Sequence, residues 1–356
     1  GGNFNVVVGD EAGTALTTGD NNVAVGYAAL DANQTANHNV AIGGSALGSN
    51  TTGATNTAVG GESMTANTEG GNNVALGYQS LHDLTTGNNN TAIGYQALST
   101  EDAHGDNVAV GYQSLKTLNA GADAFNTAVG YQAGVAITTG IQNTLVGGLA
   151  GDVLTDADYN VALGVSALGA DTLGSQSTAI GYSALTNQNF TTATNSLNTA
   201  VGYQAGAAVT TGTQNNLIGG LAGDALTVGT KNNAFGYRAL SDDTKGSKSV
   251  AIGNFTLATQ NFTTATDSFN TAVGHGAGES VTTGVQNTLI GGLAGTSLTA
   301  SNQNVAVGHG TLDAETAAAR NTAIGTNALT TQNITTGGNS YNVGLGYFAG
   351  ANITTG

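Results

Sequence analysis

The 356-residue chain contains no proline, cysteine or tryptophan and only one methionine. Without cysteine, disulfides, thiolate metal sites and cysteine nucleophiles are all excluded. Collagen is excluded too, because proline is absent and glycine does not recur at every third position. Charged residues make up 8% of the chain and hydrophobic residues 39%. Disordered chains combine high charge with low hydrophobicity, so this composition indicates a folded protein.

Positive charge is also scarce. Six Lys and Arg residues stand against 22 Asp and Glu, which gives a formal net charge of −16. Such a charge opposes binding to nucleic acid or to an anionic membrane surface. No apolar run approaches the roughly 18 residues that a membrane-spanning helix requires. We therefore expect neither nucleic-acid binding nor membrane insertion.

A five-residue pattern, Asn-x-Ala-Val/Ile-Gly, recurs along the chain, as in residues 22–26. Its glycine occurs 20 times, and successive copies are 17 positions apart except for one interval of 19 and three of 21. A longer, 72-residue period relates Gly130, Gly202, Gly274 and Gly346. No linker or change in composition interrupts the pattern. We predict one continuous repeat array over residues 1–356 and expect it to be a segment of a longer chain.

The repeat has the side-chain alternation of a β-strand. Val, Ile and Thr flank a central position that is usually alanine, and such residues favour strands. A helical repeat is disfavoured, because each interior glycine would cost about 1 kcal/mol. We predict an all-β parallel β-solenoid, or β-roll, of about 20 rungs, each rung being one repeat. Neither face of the strand is charged, so we expect both faces to be covered and the alanine face to meet a close neighbour.

The position four residues before the glycine is Asn in 18 rungs and Ser in the other two. Like residues in stacked parallel strands lie about 4.8 Å apart. Their side-chain amides can then hydrogen-bond along the stack. We predict a structural asparagine ladder that includes Asn22, Asn39, Asn56, Asn73, Asn90, Asn107, Asn126 and Asn143.

Two further positions carry packing information. Four residues after the glycine the chain has Leu or Met in some rungs and Gly in others, and where it has Gly an apolar residue follows three places later. We interpret this as one apolar plug per rung that moves between two sites, since a missing plug would leave a cavity. The extra residues of the 21-residue intervals include Phe190 and Phe262. We predict that they bulge outward from the rung.

Nine of the 11 tyrosines occupy the position directly after the glycine. The resulting stripe includes Tyr78, Tyr95, Tyr112, Tyr131 and Tyr203. One interpretation is a surface that binds sugars or bases by stacking. The other, which we favour, is a tyrosine ladder that covers the rung edge and stacks on its own neighbours.

Other candidate chemistry is weak. His275 and His309 share one position but lie two rungs apart, roughly 9.6 Å, which is too far for one zinc ion with ligands about 2 Å away. The acidic residues match no calcium-binding loop. Four of the six cations fall within residues 231–248 beside two aspartates, which we interpret as local charge balance. No phosphate-binding loop is present, and no catalytic set recurs. We expect a non-enzymatic protein with no catalytic residue, cofactor or metal site.

The segments 90–98 (NTAIGYQAL) and 126–134 (NTAVGYQAG) resemble the repeat arrays of bacteriophage and other viral tail-fibre proteins. They are also similar to the head repeats of trimeric autotransporter adhesins, which form a left-handed parallel β-roll. The resemblance covers all 20 rungs. It implies a left-handed coil and a homotrimer.

From this resemblance we expect a structural rod that forms the shaft of a virion-associated tail fibre and presents a receptor-binding tip. The expected partners are further copies of the chain, other fibre or virion proteins, and host-surface glycans. The alternative is a bacterial cell-surface adhesin or extracellular filament whose repeats bind host, matrix or glycans. A third class is a carbohydrate-binding module that uses the tyrosine stripe. The expected location is the virion, the extracellular space or the cell surface.

Overall fold

The computed structural model describes residues 2–355, in which strands occur and helices do not. The strands are β1 (Val6–Val8), β2 (Val23–Val25), β3 (Val40–Ile42), β4 (Thr57–Val59), β5 (Val74–Leu76), β6 (Thr91–Ile93), β7 (Val108–Val110), β8 (Thr127–Val129), β9 (Thr144–Val146), β10 (Val161–Leu163), β11 (Gly174–Ser175), β12 (Thr178–Ile180), β13 (Thr194–Asn195), β14 (Thr199–Val201), β15 (Asn216–Ile218), β16 (Asn233–Phe235), β17 (Gly246–Ser247), β18 (Val250–Ile252), β19 (Thr266–Asp267), β20 (Thr271–Val273), β21 (Thr288–Ile290), β22 (Val305–Val307), β23 (Ala318–Ala319), β24 (Thr322–Ile324), β25 (Gly338–Asn339) and β26 (Val343–Leu345). This part of the chain therefore offers no apolar helix of membrane-spanning length.

The contacts divide the chain into two units. One comprises residues 2–176 and 191–194, and the other comprises residues 177–190 and 195–355. Each unit contains ten of the three-residue strands, and within each unit successive strands pair in parallel. Partner residues always occupy the same repeat position, as in Ala75 opposite Ala92. Each unit is thus a parallel β-solenoid in which most rungs repeat after 17 positions, which confirms the predicted fold class. The single continuous array, the left-handed coil and the trimer stay predictions.

The alanine side of the strands faces the interior of the rung. Ala24, Ala92 and Ala251 are fully buried, and the same holds for the alanines at this position in the other rungs. The close neighbour is the opposite wall of the same solenoid, here a leucine of the preceding rung. At Gly344, where glycine replaces the alanine, an added Cβ would lie 2.9 Å from Leu329 Cγ. The alanine face is therefore core, and it cannot also be a seam between subunits.

The other face of the strands is only partly covered, so the prediction that both faces are covered is wrong for the single chain. The residues just before the glycine remain 38% exposed at Ile93, 41% at Ile252 and 40% at Ile290. The reason is geometric: one rung encloses only one side of its strand. We call this surface, formed by the first and third residues of the three-residue strands, the outer sheet face.

The strand-ending glycines adopt φ angles between 118° and 145°. This conformation strongly favours glycine, because a Cβ would clash with the backbone. A Cβ on Gly94 would lie 2.3 Å from the carbonyl oxygen of Gly111 in the next rung. The predicted positive φ at this corner is confirmed, and the glycine also permits the close approach of successive rungs.

The turns after most strands also place non-glycine residues in the left-handed region. After β6 these are Gln96 and Leu98, with φ angles of 50° and 49°, and Asn89, just before the same strand, has a φ of 61°. Such angles are unfavourable for a leucine in isolation. They persist because the backbone N–H of Leu98 donates to Ser114 O at 2.9 Å and that of Gln96 donates to Tyr78 O at 3.0 Å. Inter-rung hydrogen bonds therefore fix a conformation that local propensity opposes.

The 72-residue period has a packing origin. Leu145, Leu217 and Leu289 replace the usual alanine at this period. An added Cβ would lie 2.8 Å from Leu217 Cδ1 at Gly206 and 2.8 Å from Leu217 Cδ2 at Gly223. Leu217 thus fills the space of the usual leucine plugs in two successive rungs, which is why both have glycine there. Val209 and Leu226, three residues after those glycines, are also fully buried, as the moving-plug interpretation requires.

We expect Leu217→Ala to lower the free energy of unfolding by about 3 kcal/mol, because it leaves a cavity shared by two rungs. Adding Gly206→Leu should restore part of this loss. Leucine occupies this position in other rungs with a similar φ, for example Leu240 at 57° against 60° for Gly206. Urea unfolding of the parent, both single variants and the double variant measures the coupling. Additive effects would contradict the shared-space explanation.

The extra residues of the 21-residue intervals do not all point outward. Phe190 and Phe262 are each only 5% exposed, so the prediction that they project from the rung is wrong. The backbone N–H of Phe262 donates to the buried carboxylate of Asp243 at 3.3 Å, which holds this residue against the rung. The following residues carry the outward excursion, since Thr191 and Thr192 are exposed.

Candidate binding surface

The tyrosine stripe forms a stack of rings in the first unit. The ring centroids are 5.8 Å apart for Tyr78 and Tyr95, 5.3 Å for Tyr95 and Tyr112, and 5.4 Å for Tyr112 and Tyr131. The planes of each pair lie within 21° of parallel. The four side chains are 41% to 55% exposed. The strand-ending glycine places each tyrosine at the same corner, and the inter-rung spacing brings the rings into contact.

A glutamine ladder runs beside these rings. Each amide Nε2 donates to the Oε1 of the preceding rung, at 2.8 Å from Gln96 to Gln79, 2.9 Å from Gln113 to Gln96 and 3.1 Å from Gln132 to Gln113. The direction is the same at every step. The ladder therefore satisfies its own amide groups along one edge of the tyrosine stack.

Both the stack and the ladder end on Glu62. Its Oε2 accepts hydrogen bonds from Gln79 Nε2 at 2.7 Å and from the Tyr78 hydroxyl at 3.1 Å. The Gln79 bond is the main reason that the pKa of Glu62 lies below its usual value. The bond to Glu62 correspondingly raises the pKa of Tyr78. All three side chains lie at the surface, so these bonds orient the end of the stack.

This geometry limits what the stripe can bind. The inner rings use both faces against neighbouring tyrosines, and a sugar that stacks on an aromatic residue needs a free face. The solvent therefore meets ring edges, hydroxyls and amides. Tyr203 lies in the second unit, where its centroid is 5.6 Å from that of Tyr182. The structure thus joins four of the five predicted stripe residues in one stack and places Tyr203 in another.

The eight asparagines of the predicted ladder are buried, with exposures of 0% to 1%. Their main partners are backbone groups. Asn56 Oδ1 accepts from the backbone N–H of Asn73 at 2.9 Å, and Asn56 Nδ2 donates to Gly70 O at 2.7 Å. A direct contact between amides is longer, 3.2 Å from Asn73 Nδ2 to Asn56 Oδ1. Each side chain thus joins two rungs through their backbones more than through one another.

Where serine replaces the ladder asparagine, a buried glutamine compensates. Gln260 Nε2 donates to Ser249 Oγ at 2.9 Å and to Asp243 Oδ2 at 2.6 Å. Its Oε1 accepts from Asn270 Nδ2 at 2.8 Å. Burial raises the pKa of Asp243, and the bond from Gln260 only partly opposes this. The network places a titratable carboxylate inside the core.

The Asp243 carboxylate predicts a pH dependence of stability. Its folded-state pKa is raised, so as pH rises from the ordinary value near 3.9 to the raised value, the unfolded chain loses a proton that the folded chain retains. The contribution of Asp243 to the free energy of unfolding should therefore fall across this window and be constant above it. Relative to the parent, Asp243→Asn should gain stability with rising pH across the same window. Urea titrations at several pH values measure this difference, with Asp242→Asn, an exposed neighbour, as the control. Parallel curves for parent and Asp243→Asn would contradict it.

Two of the clustered cations and His275 contact side chains close to them. Lys248 Nζ lies 2.6 Å from Asp267 Oδ2, and Arg238 Nη2 lies 3.7 Å from Asp242 Oδ1, all at the surface. The ring of His275 meets that of Phe255 edge to face with centroids 6.0 Å apart. These are local pairings of side chains in the same rung or on adjacent rungs.

A shallow cleft of about 380 Å³ lies in the second unit. Its lining residues are Ala300, Asn302, Ala317, Ala319, Gly337, Gly338 and Asn339. The lining thus contains no titratable side chain.

Sequence reasoning missed one cluster. The ligand-type atoms of Glu101, Asp102 and His104 all lie within 4.8 Å of one another. The spacing Glu-Asp-x-His matches neither the ligand spacings of zinc fingers nor the twelve-residue calcium loop. A usable signal was nevertheless present, since Glu101 occupies the buried position seven residues after a strand-ending glycine.

Comparison with known proteins adds no relative. No protein-family model matches the sequence, and no curated protein matches it closely enough to indicate kinship.

Proposed function

We propose that this chain is a structural, non-enzymatic segment of the shaft of a virion-associated tail fibre, and that the fibre presents a receptor-binding tip. The observation that carries the proposal is the uniform ladder of each unit. Ten parallel strands pair in register, with alanine opposite alanine at most steps of the first unit and with leucine alternating with runs of alanine in the second. At about 4.8 Å per strand, one such unit extends about 45 Å in the stacking direction. A uniform ladder of this kind suits a spacer, whose mechanism is mechanical.

The asparagine ladder supports the same role. In most rungs a buried amide binds both a backbone N–H and a backbone carbonyl near the same position of the neighbouring rung. These rungs therefore resist separation from the next by side-chain as well as strand hydrogen bonds. Such bonding would make local opening, and with it proteolysis, rare.

The proposed assembly is a homotrimer held together by the outer sheet face. That face contains no charged residue in either unit, although the chain carries a net charge of −16. Its aliphatic residues include Ile42, Leu76, Ile93, Ile252 and Ile290, which are 37% to 41% exposed. Repeated exposed apolar side chains in register favour a partner with the same spacing. Another copy of this chain has the same spacing, because it has the same repeats.

We expect Ile93→Glu and Ile252→Glu each to weaken trimer formation at least about tenfold, because assembly would bury the new charge. Sedimentation velocity of the parent should give three times the mass of one chain, and the variants should shift toward one chain. The control is Asn119→Glu, which adds the same charge at another exposed position. A monomeric parent, or equal effects of all three changes, would refute the proposed interface.

The location is tested by immunogold electron microscopy of the native source with antibody against residues 1–356. Gold along virion tails or fibres supports the shaft proposal. Gold on the cell envelope or on free filaments would refute it.

A second candidate, a surface adhesin or extracellular filament, is favoured by the exposed tyrosine stack with its amide edge. In that case the hydroxyls and amides of the stack would bind glycans or matrix edge-on. Glycan binding that is lost in Tyr95→Ala and Tyr112→Ala would support this candidate. A folded parent without any glycan signal would remove glycans as its ligand.

A further inference from the structure

Four rungs place an acidic residue seven positions after the strand-ending glycine, at Glu101, Asp171, Asp243 and Glu315. Asp243 and Glu315 are fully buried, and each accepts a hydrogen bond from a glutamine of the next rung. These bonds measure 2.6 Å from Gln260 and 2.9 Å from Gln332. A side-chain amide thus helps to satisfy the buried carboxylate in both cases.

Glu101 lacks this arrangement. It is also fully buried, but the equivalent residue of the next rung is Leu118, which has no donor. Glu101 Oε1 accepts from the backbone N–H of His104 at 3.1 Å, and Oε2 accepts a longer bond from Ala120 at 3.4 Å. Buried carboxylates are normally paired with a cation or coordinate a metal.

The side chain of His104 adds an unpaired nitrogen at the same place. Its Nδ1 atom is closed to solvent and has no hydrogen-bond partner, although it lies 3.4 Å from Glu101 Oε1. A buried nitrogen without a partner is rare and points to a missing ion or water. Asp102, which is exposed, brings its carboxylate within 4.8 Å of both groups.

We propose that Glu101, Asp102 and His104 bind a divalent transition-metal cation such as Zn²⁺. Two carboxylate oxygens and one imidazole nitrogen form a donor set that zinc accepts, and three protein ligands leave room for water. The nitrogen ligand favours such a metal over Ca²⁺ or Mg²⁺, which prefer oxygen alone. The cation satisfies the Nδ1 atom of His104 and the buried charge of Glu101 at once.

The surroundings favour a cation and fix the loop. Asp106 follows His104 by two residues, and Asp123 lies in the next rung. Both add negative charge near the three ligands. Asp123 Oδ1 accepts from the backbone N–H of Gly105 at 3.0 Å. Because Glu101 also bonds Ala120, the metal would tie the segment 101–106 to the following rung.

The test is isothermal titration of Zn²⁺ into the full chain after treatment with a chelator. We expect one Zn²⁺ per chain, and at least about tenfold weaker binding in both His104→Ala and Asp102→Asn, since even outer-shell changes weaken metal binding 10- to 100-fold. Co²⁺ provides a second readout, a visible absorption band that is present in the parent and lost in both variants.

The matched control is His82→Ala. His82 Nδ1 lies 2.6 Å from Asp83 Oδ1, but this exposed pair includes no buried carboxylate. The His82→Ala variant should therefore bind Zn²⁺ with the affinity of the parent. Circular dichroism establishes that each variant is folded, and Asp102→Asn, which alters an exposed side chain, serves if His104→Ala does not fold. Absence of stoichiometric binding, parent-like affinity in the folded variants, or an equal loss in His82→Ala would overturn the proposal. So would binding of Ca²⁺ in preference to Zn²⁺.

Discussion

Gly147→Ala should lower the free energy of unfolding by about 4 kcal/mol or prevent folding of the affected rungs, which is at the upper end for single substitutions. Gly147 has a φ of 140°, where a Cβ is strained in any surroundings. That Cβ would also lie 2.5 Å from Gly164 O and 2.6 Å from its carbonyl carbon. Both are backbone atoms of the next rung, so the rungs would have to separate.

The chain supplies its own control in the next residue. Gly148 does not have a positive φ, and a Cβ there would meet no atom within 4 Å. Gly148→Ala should therefore leave stability within about 0.5 kcal/mol of the parent, as most surface changes do. Urea unfolding, together with hydrogen exchange at Thr144–Val146, measures both variants. Similar losses in the two variants would show that the clash is not the cause.

Asn56→Ala should cost about 2 kcal/mol, because the substitution leaves the buried backbone N–H of Asn73 without its partner. The carbonyl of Gly70 also loses one of its two hydrogen bonds and keeps the one from Asn67 Nδ2 at 3.1 Å. Each unsatisfied buried group costs about 1 to 3 kcal/mol. The loss should appear as faster hydrogen exchange in β4 and β5, because each rung of a solenoid contacts chiefly its neighbours.

Two comparisons sharpen this prediction. Asn119→Ala makes the same change at an exposed asparagine and should be close to neutral. Asn56→Ser should be nearly as harmful as Asn56→Ala, although serine occurs naturally at this repeat position. Gln260 donates a hydrogen bond to Ser249 and so compensates for the shorter side chain. The rung of Asn56 has Asn67 at the position of Gln260, so a serine at position 56 would lack this glutamine partner. A neutral Asn56→Ser would mean that the ladder tolerates a shorter side chain without compensation.

Features that depend only on the repeat period could be predicted from the sequence. Residues at the same repeat position stack on one another from rung to rung and therefore share a face. The strands, the glycine corner and the line of buried asparagines could be predicted from this alone. The ring stacking in the tyrosine stripe follows from the same spacing. In each case the neighbour of a residue is its own equivalent in the next rung.

Features that depend on contacts between different columns could not be predicted in this way. Leu98 in the left-handed region contradicts local propensity and is fixed by a hydrogen bond to another rung. Phe262 is buried because Asp243, an acid of the preceding rung, holds its backbone. At Glu101 the residue of the next rung is Leu118, which cannot donate a hydrogen bond to the carboxylate. The importance of this difference becomes clear only from the structure, in which glutamines at the equivalent position bind Asp243 and Glu315.

The shared plug at Leu217 also has a consequence for how such a chain can change in length. Leu217 requires glycine in its own rung, at Gly223, and in the preceding rung, at Gly206, so deletion of a single neighbouring rung would set a leucine plug against it. Deletion of residues 202–273 would instead remove four whole rungs and join Val201 to Gly274, and every column would keep its expected neighbour. Recombination within a gene of this kind should therefore be tolerated most readily in steps of one full 72-residue period. We therefore expect natural length variants of such a chain to differ by four rungs at a time, although the smallest structural repeat is one rung.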